Sequence, residues 1–412
     1  MQARLDAERA LDHVVPMTSR PAQDIPLPDL SLRPRFIGSE IYRTSRYGAR
    51  HPLSIPRVST LIDLCRSLGW LPDNVYIDSP RATPEELARY HAPDYIAAVQ
   101  RAEAEQALDE ESRQRYQLGL NGNPIFPEIF SRPATACGGS LLAARLLEKG
   151  GIVYNPAGGT HHGQPDRASG FCYFNDPTLG ILGLLDHGLT RIFYLDLDAH
   201  HGDGVQQAFA GDPRVFTLSL HEAGRWPMTE GGAGSLEDTA DGTALNLPLP
   251  QGANDSEFEF LIDTVVLPLI DRFAPEALVV QGGADALEED PLSRLSLSNQ
   301  ALWRSVAAVQ PLAPRLLMLG GGGYNPWSVA RCWTGIWGLL SGQRLPDRLP
   351  PEAEAILRAL SWRHSRGRNP PEHWFTCLAD APRGGPIRAS LRDLARRALE
   401  IAEPLCLEGA GS

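Results

Sequence analysis

The 412-residue chain carries 38 Lys and Arg against 50 Asp and Glu, a formal net charge of −12. That balance lacks the basic footprint a phosphate backbone requires, so a nucleic-acid partner is not expected. With 42 % hydrophobic and 21 % charged residues the chain is globular, and its 39 glycines and 35 prolines exceed the usual combined share of about 12 %, as suits elaborate loops on a buried core.

Residues 1–33 are polar and proline-bearing and read as an arm. Over 57–71, Leu61, Ile62, Leu64 and Leu68 recur at helical spacing. Thr83, Pro84 and Glu86 make a helix start, with the threonine as N-cap and the glutamate at the third position. The polar stretch 106–132, with Asn121-Gly122-Asn123-Pro124, predicts a surface loop, and a helix follows over 134–148, closed by Gly150-Gly151. The middle of the chain then alternates: strand 152–154, helix 178–187 closed by Gly188, strand 191–198, helix 205–210, strand 215–220, helix 258–273, and short apolar strands at 277–281 and 316–319 that end in glycines. Strands apolar on both faces and separated by helices predict an α/β fold with a parallel sheet covered on both sides, its reactive groups beyond the carboxyl ends of the strands. After Trp337 the chain turns helical and charged, with proline joints at 345–351 and 369–371. No repeat and no linker stands out, which predicts one domain over 1–412, with a core of about 35–345 and a helical tail over 346–412.

Cys65, Cys137, Cys172, Cys332, Cys377 and Cys406 form no CxxC pair, which excludes a cysteine-type zinc site or a disulfide framework. No apolar run approaches the ~18 residues of a membrane span and the N-terminal residues hold no signal core, so a cytoplasmic setting without a membrane partner is expected.

The chemistry is densest at Asp196-Leu-Asp198-Ala-His200-His201-Gly-Asp203. Alternation along a strand would put Asp196, Asp198 and His200 on one face, where two carboxylates and an imidazole need a cation or proton-bearing partners. Asp285, in Gln281-Gly-Gly-Ala-Asp285 past the next strand end, would complete three protein ligands and leave a position open, as catalytic metal sites do. This donor set suits zinc, and also ferrous iron or cobalt. His161-His162 follow a glycine-rich loop, with Asp196 and Asp203 available to fix their tautomers and raise their basicity. Tyr324, after four glycines, can donate its hydroxyl to a developing oxyanion.

The segments GGTHHG (158–163), ASGFCYFND (168–176), YLDLDAHHGDGV (194–205), QGGADAL (281–287) and LGGGGYNPWSVARCW (319–333) resemble the zinc-dependent histone deacetylase superfamily over roughly 35–345. YGARHPLSIPR (47–57) and NPIFPEIF (123–130) are most similar to its bacterial acetoin-utilisation branch. The resemblance implies an arginase-like fold with a central eight-stranded parallel sheet and hydrolysis of an N-acylated amine, by attack of metal-bound water with a histidine base. It implies one catalytic zinc on Asp198, His200 and Asp285, with His162 paired to Asp203 as base and acid, and His161 paired to Asp196 as electrostatic partner. Tyr324 would polarise the carbonyl, and Gly170, Phe171, Trp226, Leu292 and Gly322 would contact substrate. It further implies structural potassium held around Asp196, Asp198, His200, Ser219 and Leu220, and a second such site near Phe209, Asp212 and Val215.

Two features depart from the family pattern. Arg225-Trp226-Pro227-Met228 replaces an FPG run in the tunnel wall, and no aspartate stands near Asn121-Gly122-Asn123, where relatives hold the backbone of a peptide substrate. The expected substrate is therefore an acyl-lysine protein or peptide, or a small molecule such as an acetylpolyamine, and association into a homo-oligomer stays open. A binuclear manganese ureohydrolase and a non-catalytic acyl-lysine binder are the rival readings. The first is disfavoured by His201 and by the lack of a second aspartate two residues after Asp285, the second by the full set of hydrolytic groups.

Overall fold

The computed structural model describes residues 33–48 and 50–405, so most of the expected arm and the end of the tail, with Cys406, lie outside the described residues. Eight strands, β1 (Arg35–Gly38), β2 (Tyr76–Asp78), β3 (Gly151–Asn155), β4 (Ile192–Asp196), β5 (Val215–Glu222), β6 (Ala244–Leu249), β7 (Ala277–Gln281) and β8 (Arg315–Leu319), form one sheet in the order β2-β1-β3-β8-β7-β4-β5-β6. Every pairing is parallel.

The central strands are apolar on both faces because both faces are covered. Phe193 and Leu195 of β4, Leu278 and Val280 of β7, and Leu316 and Met318 of β8 join the larger core, with Trp303, Trp333 and Trp337 from the helices Asn299–Val309 and Pro326–Leu340. Their neighbours Ile192, Tyr194, Ala277, Val279, Leu317 and Leu319 turn to the other face, against the helices Ser131–Leu146 and Asp176–Asp186. The tail packs on the larger core: Leu391, Ala395, Ala398 and Ala402 of the helix Ala389–Leu405 are buried in it.

Several expectations are revised. The 106–132 stretch is not a plain surface loop. Glu110–Tyr116 is a helix capped by Asp109, and Leu118, Asn123, Phe126 and Ile129 are buried beneath the mouth of the site. Expected helix 258–273 runs as Asp255–Leu261 and Leu267–Phe273 around a π-helical segment, Ile262–Val266. Expected strand 191–198 stops at Asp196, whose Oδ1 accepts the Asp198 N–H at 3.1 Å and turns the chain out of the sheet. The cysteines among the described residues are free, and no helix there is long and apolar enough to cross a membrane.

Register places the site. One transverse row across the sheet contains Asn155, Leu319, Gln281, Asp196, Ser219 and Asn246; the first four close their strands, while β5 and β6 run on for three more residues. The loops that continue from this row carry the residues singled out in the sequence.

Candidate active site

Asp198 and His200 leave β4, and Asp285 follows β7; their ligand atoms all lie within 4.8 Å of one another. His200 Nδ1 stands 2.9 Å from Asp285 Oδ2 and 3.2 Å from Asp198 Oδ1. Both carboxylates are fully buried, and burial together with the charge of Asp198 pushes the Asp285 carboxyl towards its protonated form. Two desolvated carboxylates meeting one imidazole fit a divalent cation. Among the described residues this is the one such group of three acidic, histidine or cysteine ligands.

Backbone holds these carboxylates from behind. The Gly322 N–H donates to Asp198 Oδ2 at 2.6 Å and the Ala199 N–H to Asp285 Oδ1 at 3.0 Å. Such close approach requires glycine, because a Cβ on Gly322 would stand 2.6 Å from the Asp285 carboxyl carbon.

Two histidine dyads flank the cluster. His161 Nδ1 lies 2.7 Å from Asp196 Oδ2, which also accepts the Tyr194 hydroxyl at 2.7 Å. His162 Nδ1 lies 2.7 Å from Asp203 Oδ1, while Gln164 Nε2 donates to the other oxygen at 3.2 Å. A carboxylate only accepts, so each Nδ1 carries the hydrogen and the His162 Nε2 lone pair is left for the cavity. Burial presses His161 towards neutrality, but Asp196 and Asp198 outweigh it and lift its pKa to about 9. At His162, burial and the neighbouring His161 cation overcome Asp203 and bring the pKa down to about 4. The two imidazoles are thus driven apart, His161 towards the cation and His162 towards the free base.

Tyr324 is 7 % exposed, and burial with the nearby carboxylates of Asp285 and Asp198 holds its hydroxyl well above the usual pKa, so it remains a donor. Phe171 meets it edge-on at 6.0 Å, and Trp226 stands against the His162 ring at 4.8 Å. Gly170, Phe171, Trp226, Leu292, His162, His200 and Tyr324 line one cavity of about 1060 Å3. Behind it a constriction of about 50 Å3, touching His161, Asp198, Gly322 and Tyr324, leads towards Arg57 and Arg132.

Ser219 Oγ bonds His221 Nδ1 at 2.9 Å. Among the described residues no donor reaches the carbonyl oxygens of Asp198 and His200. In the second expected potassium group, the Phe209 carbonyl accepts from Thr243 Oγ1 and the Asp212 N–H, Asp212 pairs with Arg214, and the Val215 N–H donates to the Asp212 carbonyl.

Several supporting residues escaped sequence reasoning. Asp290 accepts the Tyr324 N–H at 2.6 Å and the Leu292 N–H at 2.9 Å, joining the tyrosine to the cavity wall. Asp176 accepts the N–H groups of Gly159 and Thr160, both at 2.9 Å, and so pins the loop that carries the histidines. Asn123 accepts the Phe171 N–H at 2.9 Å, which helps hold Phe171 at φ +68°. Arg57 donates to the Gly321 carbonyl at 2.6 Å. Asp176 alone had a signal, at the end of ASGFCYFND and the start of a helix.

A family model described as the histone deacetylase domain matches residues 51–340. Histone deacetylase 9 of Arabidopsis thaliana is 38 % identical over 312 residues, covering 74 % of this chain and 72 % of that one. Acetoin utilization protein AcuC of Bacillus subtilis is 34 % identical over 329 residues, covering 77 % and 84 %. Among solved structures, an HDAC homologue from Aquifex aeolicus is similar at 38 % identity with a TM-score of 0.84, over 89 % of this chain and 99 % of that one.

Proposed function

The chain belongs to the histone deacetylase family, and from that premise we propose that it hydrolyses the amide of an N-acylated amine, releasing a short carboxylic acid and the free amine. The observation that carries this reading is the meeting of three elements at the floor of one cavity: the Asp198, His200 and Asp285 cluster, the His162–Asp203 dyad and the Tyr324 hydroxyl. A single divalent cation held by the cluster supplies Lewis-acid polarisation and an acidified water; we assign zinc, ferrous iron and cobalt suiting the same donors.

The chain's own groups do the rest. His162 Nε2 takes the proton from the water as its oxygen adds to the acyl carbon. The same Nε2–H then protonates the amine nitrogen as the C–N bond breaks. Asp203 keeps the ring in the tautomer that this cycle requires. His161, paired to Asp196, acts as the electrostatic partner of this base. The Tyr324 hydroxyl donates to the oxygen of the tetrahedral intermediate. The free carbonyls of Asp198 and His200 support a structural potassium ion beneath the site, completed by Ser219 and Leu220.

The test combines a metal count with a turnover panel of acetyl-lysine peptides, acetylated polyamines and longer acyl-lysines on zinc-loaded protein, with a hydroxamate control. One ion per chain and hydroxamate-sensitive hydrolysis are expected. Two ions would favour the ureohydrolase reading, and a loaded protein that hydrolyses no amide would overturn the assignment.

A further inference from the structure

The cavity mouth reverses the sign of the chain. Apart from His162 and His200, its charged lining is Arg167, Arg225 and Arg294, with Glu222 as the one carboxylate. Glu222 is buried and already committed: its two oxygens accept the Arg225 guanidinium at 2.5 and 3.1 Å, and Oε2 also accepts the Arg294 backbone N–H at 2.8 Å. The Arg225–Glu222 pair is thus neutral as a unit. The Arg294 guanidinium is exposed and meets no carboxylate among the described residues; its contact is Gln251 Oε1, at 3.4 Å. Among the described residues Arg167 pairs only with adjacent Asp166, and the two side chains are 47 % and 62 % exposed, where such a pair contributes little.

The three arginines are also spaced around the mouth by the walls themselves. Arg225 precedes Trp226, Arg294 follows Leu292 by two residues, and Arg167 precedes Gly170 and Phe171 by three and four. Neutral amides, Gln117, Asn121, Asn123 and Gln251, supply much of the remaining polar rim. A cationic opening in a chain of net charge −12 repels a polyamine locally, whatever the global sum attracts. A planar guanidinium instead matches a carboxylate in two-point geometry.

We propose that the substrate carries a carboxylate close to its acylated amine, and that Arg294, aided by Arg167, recognises it. This rests on the amidohydrolase reading above. Two sources share the chemistry: the α-carboxylate of a free Nε-acyl amino acid, and acidic side chains flanking an acyl-lysine in a peptide.

The experiment compares matched substrates on zinc-loaded protein: free Nε-acetyl-lysine against its amide, acetyl-lysine peptides of one length flanked by Glu, Gln or Lys, and an acetylated diamine. The expected result is a kcat/KM about 2–5-fold higher for each added carboxylate. The gain is carried mainly by KM and is largely lost in 1 M salt, where the screening length falls to about 3 Å. Whichever pair shows the larger gain identifies the source. Arg294→Gln should abolish the preference and Arg294→Glu invert it, again through KM. Arg167→Gln should weaken it in the same direction, so the result does not hang on one variant folding. Equal turnover of acidic, neutral and basic members, or preference for Lys-flanked peptide or diamine, overturns this inference and leaves the hydrolase reading standing. Hydrolysis of no member by metal-bound protein overturns the hydrolase reading, and this inference falls with it.

Discussion

Gly322→Ala tests the metal cluster without altering any ligand. Gly322 has no left-handed φ, so alanine is permitted by the backbone and the only change is one methyl group. That methyl would stand 2.6 Å from the Asp285 carboxyl carbon and 3.0 Å from Asp198 Oδ2. Carbon–carbon contact begins at about 3.5 Å, and Asp285 Oδ2 is nearer to the methyl still, so Asp285 or the loop must retreat by about 0.9 Å or more. Asp285 is fully buried and its far oxygen is tied to the Ala199 N–H; moving the loop would instead break the Gly322 N–H bond to Asp198. Metal sites tolerate ligand displacements of about 0.2 Å, and even changes behind the ligands lower affinity about 10–100-fold. Displacing a ligand should therefore weaken zinc binding at least about 100-fold. Chelator competition measures this, with metal content after desalting as a second readout and the melting temperature of the metal-free protein as a check on folding. A variant that folds normally and binds zinc within about threefold of wild type would refute the assignment of Asp285 and Asp198 as ligands.

Tyr324→Phe should retain zinc but lose about 10²–10³ in kcat, the usual effect of removing one oxyanion donor; near-normal turnover at full metal content would remove the tyrosine from the mechanism. The 50 Å3 constriction behind the catalytic groups has room for a few water molecules, so acetyl-lysine should be hydrolysed about tenfold or more faster than octanoyl-lysine. Equal rates would show that the floor opens to longer chains. His91, far from the metal cluster in sequence, accepts the Asn175 N–H at Nε2 and meets the Gln164 carbonyl through Nδ1, both at 2.9 Å, and burial lowers its pKa to about 4. Because the folded pKa lies below the unfolded value, the unfolded chain binds the extra proton first. Stability is then full above about pH 6.5 and falls as the pH drops towards 4, by about 2 kcal/mol from this group between pH 7 and pH 5. Denaturant titrations at both pH values should show a smaller loss in His91→Gln, and identical losses would refute the neutral buried imidazole.

The parts of the fold legible in sequence were those whose burial is symmetric. β4, β7 and β8 are covered on both faces and read as unbroken apolar runs. β1 and β2 escaped because they have only four and three residues, and β2 is only partly buried at the sheet edge. β6 escaped because Pro248 interrupts its pattern. The end of β4 was misplaced because a side chain, Asp196, turns the chain there, and the period-two pattern carries no trace of that bond. The buried part of 106–132 was hidden by its polar neighbours, since Leu118, Phe126 and Ile129 recur at no regular period.

The same distinction separates the site residues from their supports. Motifs scattered from 158 to 324 could be joined without knowing any strand pairing, because a parallel sheet brings the carboxyl ends of all its strands to one edge. His161 and His162 after β3, Asp198 and His200 after β4, Asp285 after β7 and Tyr324 after β8 each follow a recognisable apolar run. Asp290 and Asn123 follow none; each is a single polar residue in a loop, and its role lies in one hydrogen bond to a distant backbone N–H. The mouth arginines were hidden for another reason. A net charge of −12 is a sum without positions, and it says nothing of the sign at the cavity mouth. The pairing of Glu222 with Arg225, which leaves the Arg294 guanidinium without a carboxylate among the described residues, is what gives the opening its local sign.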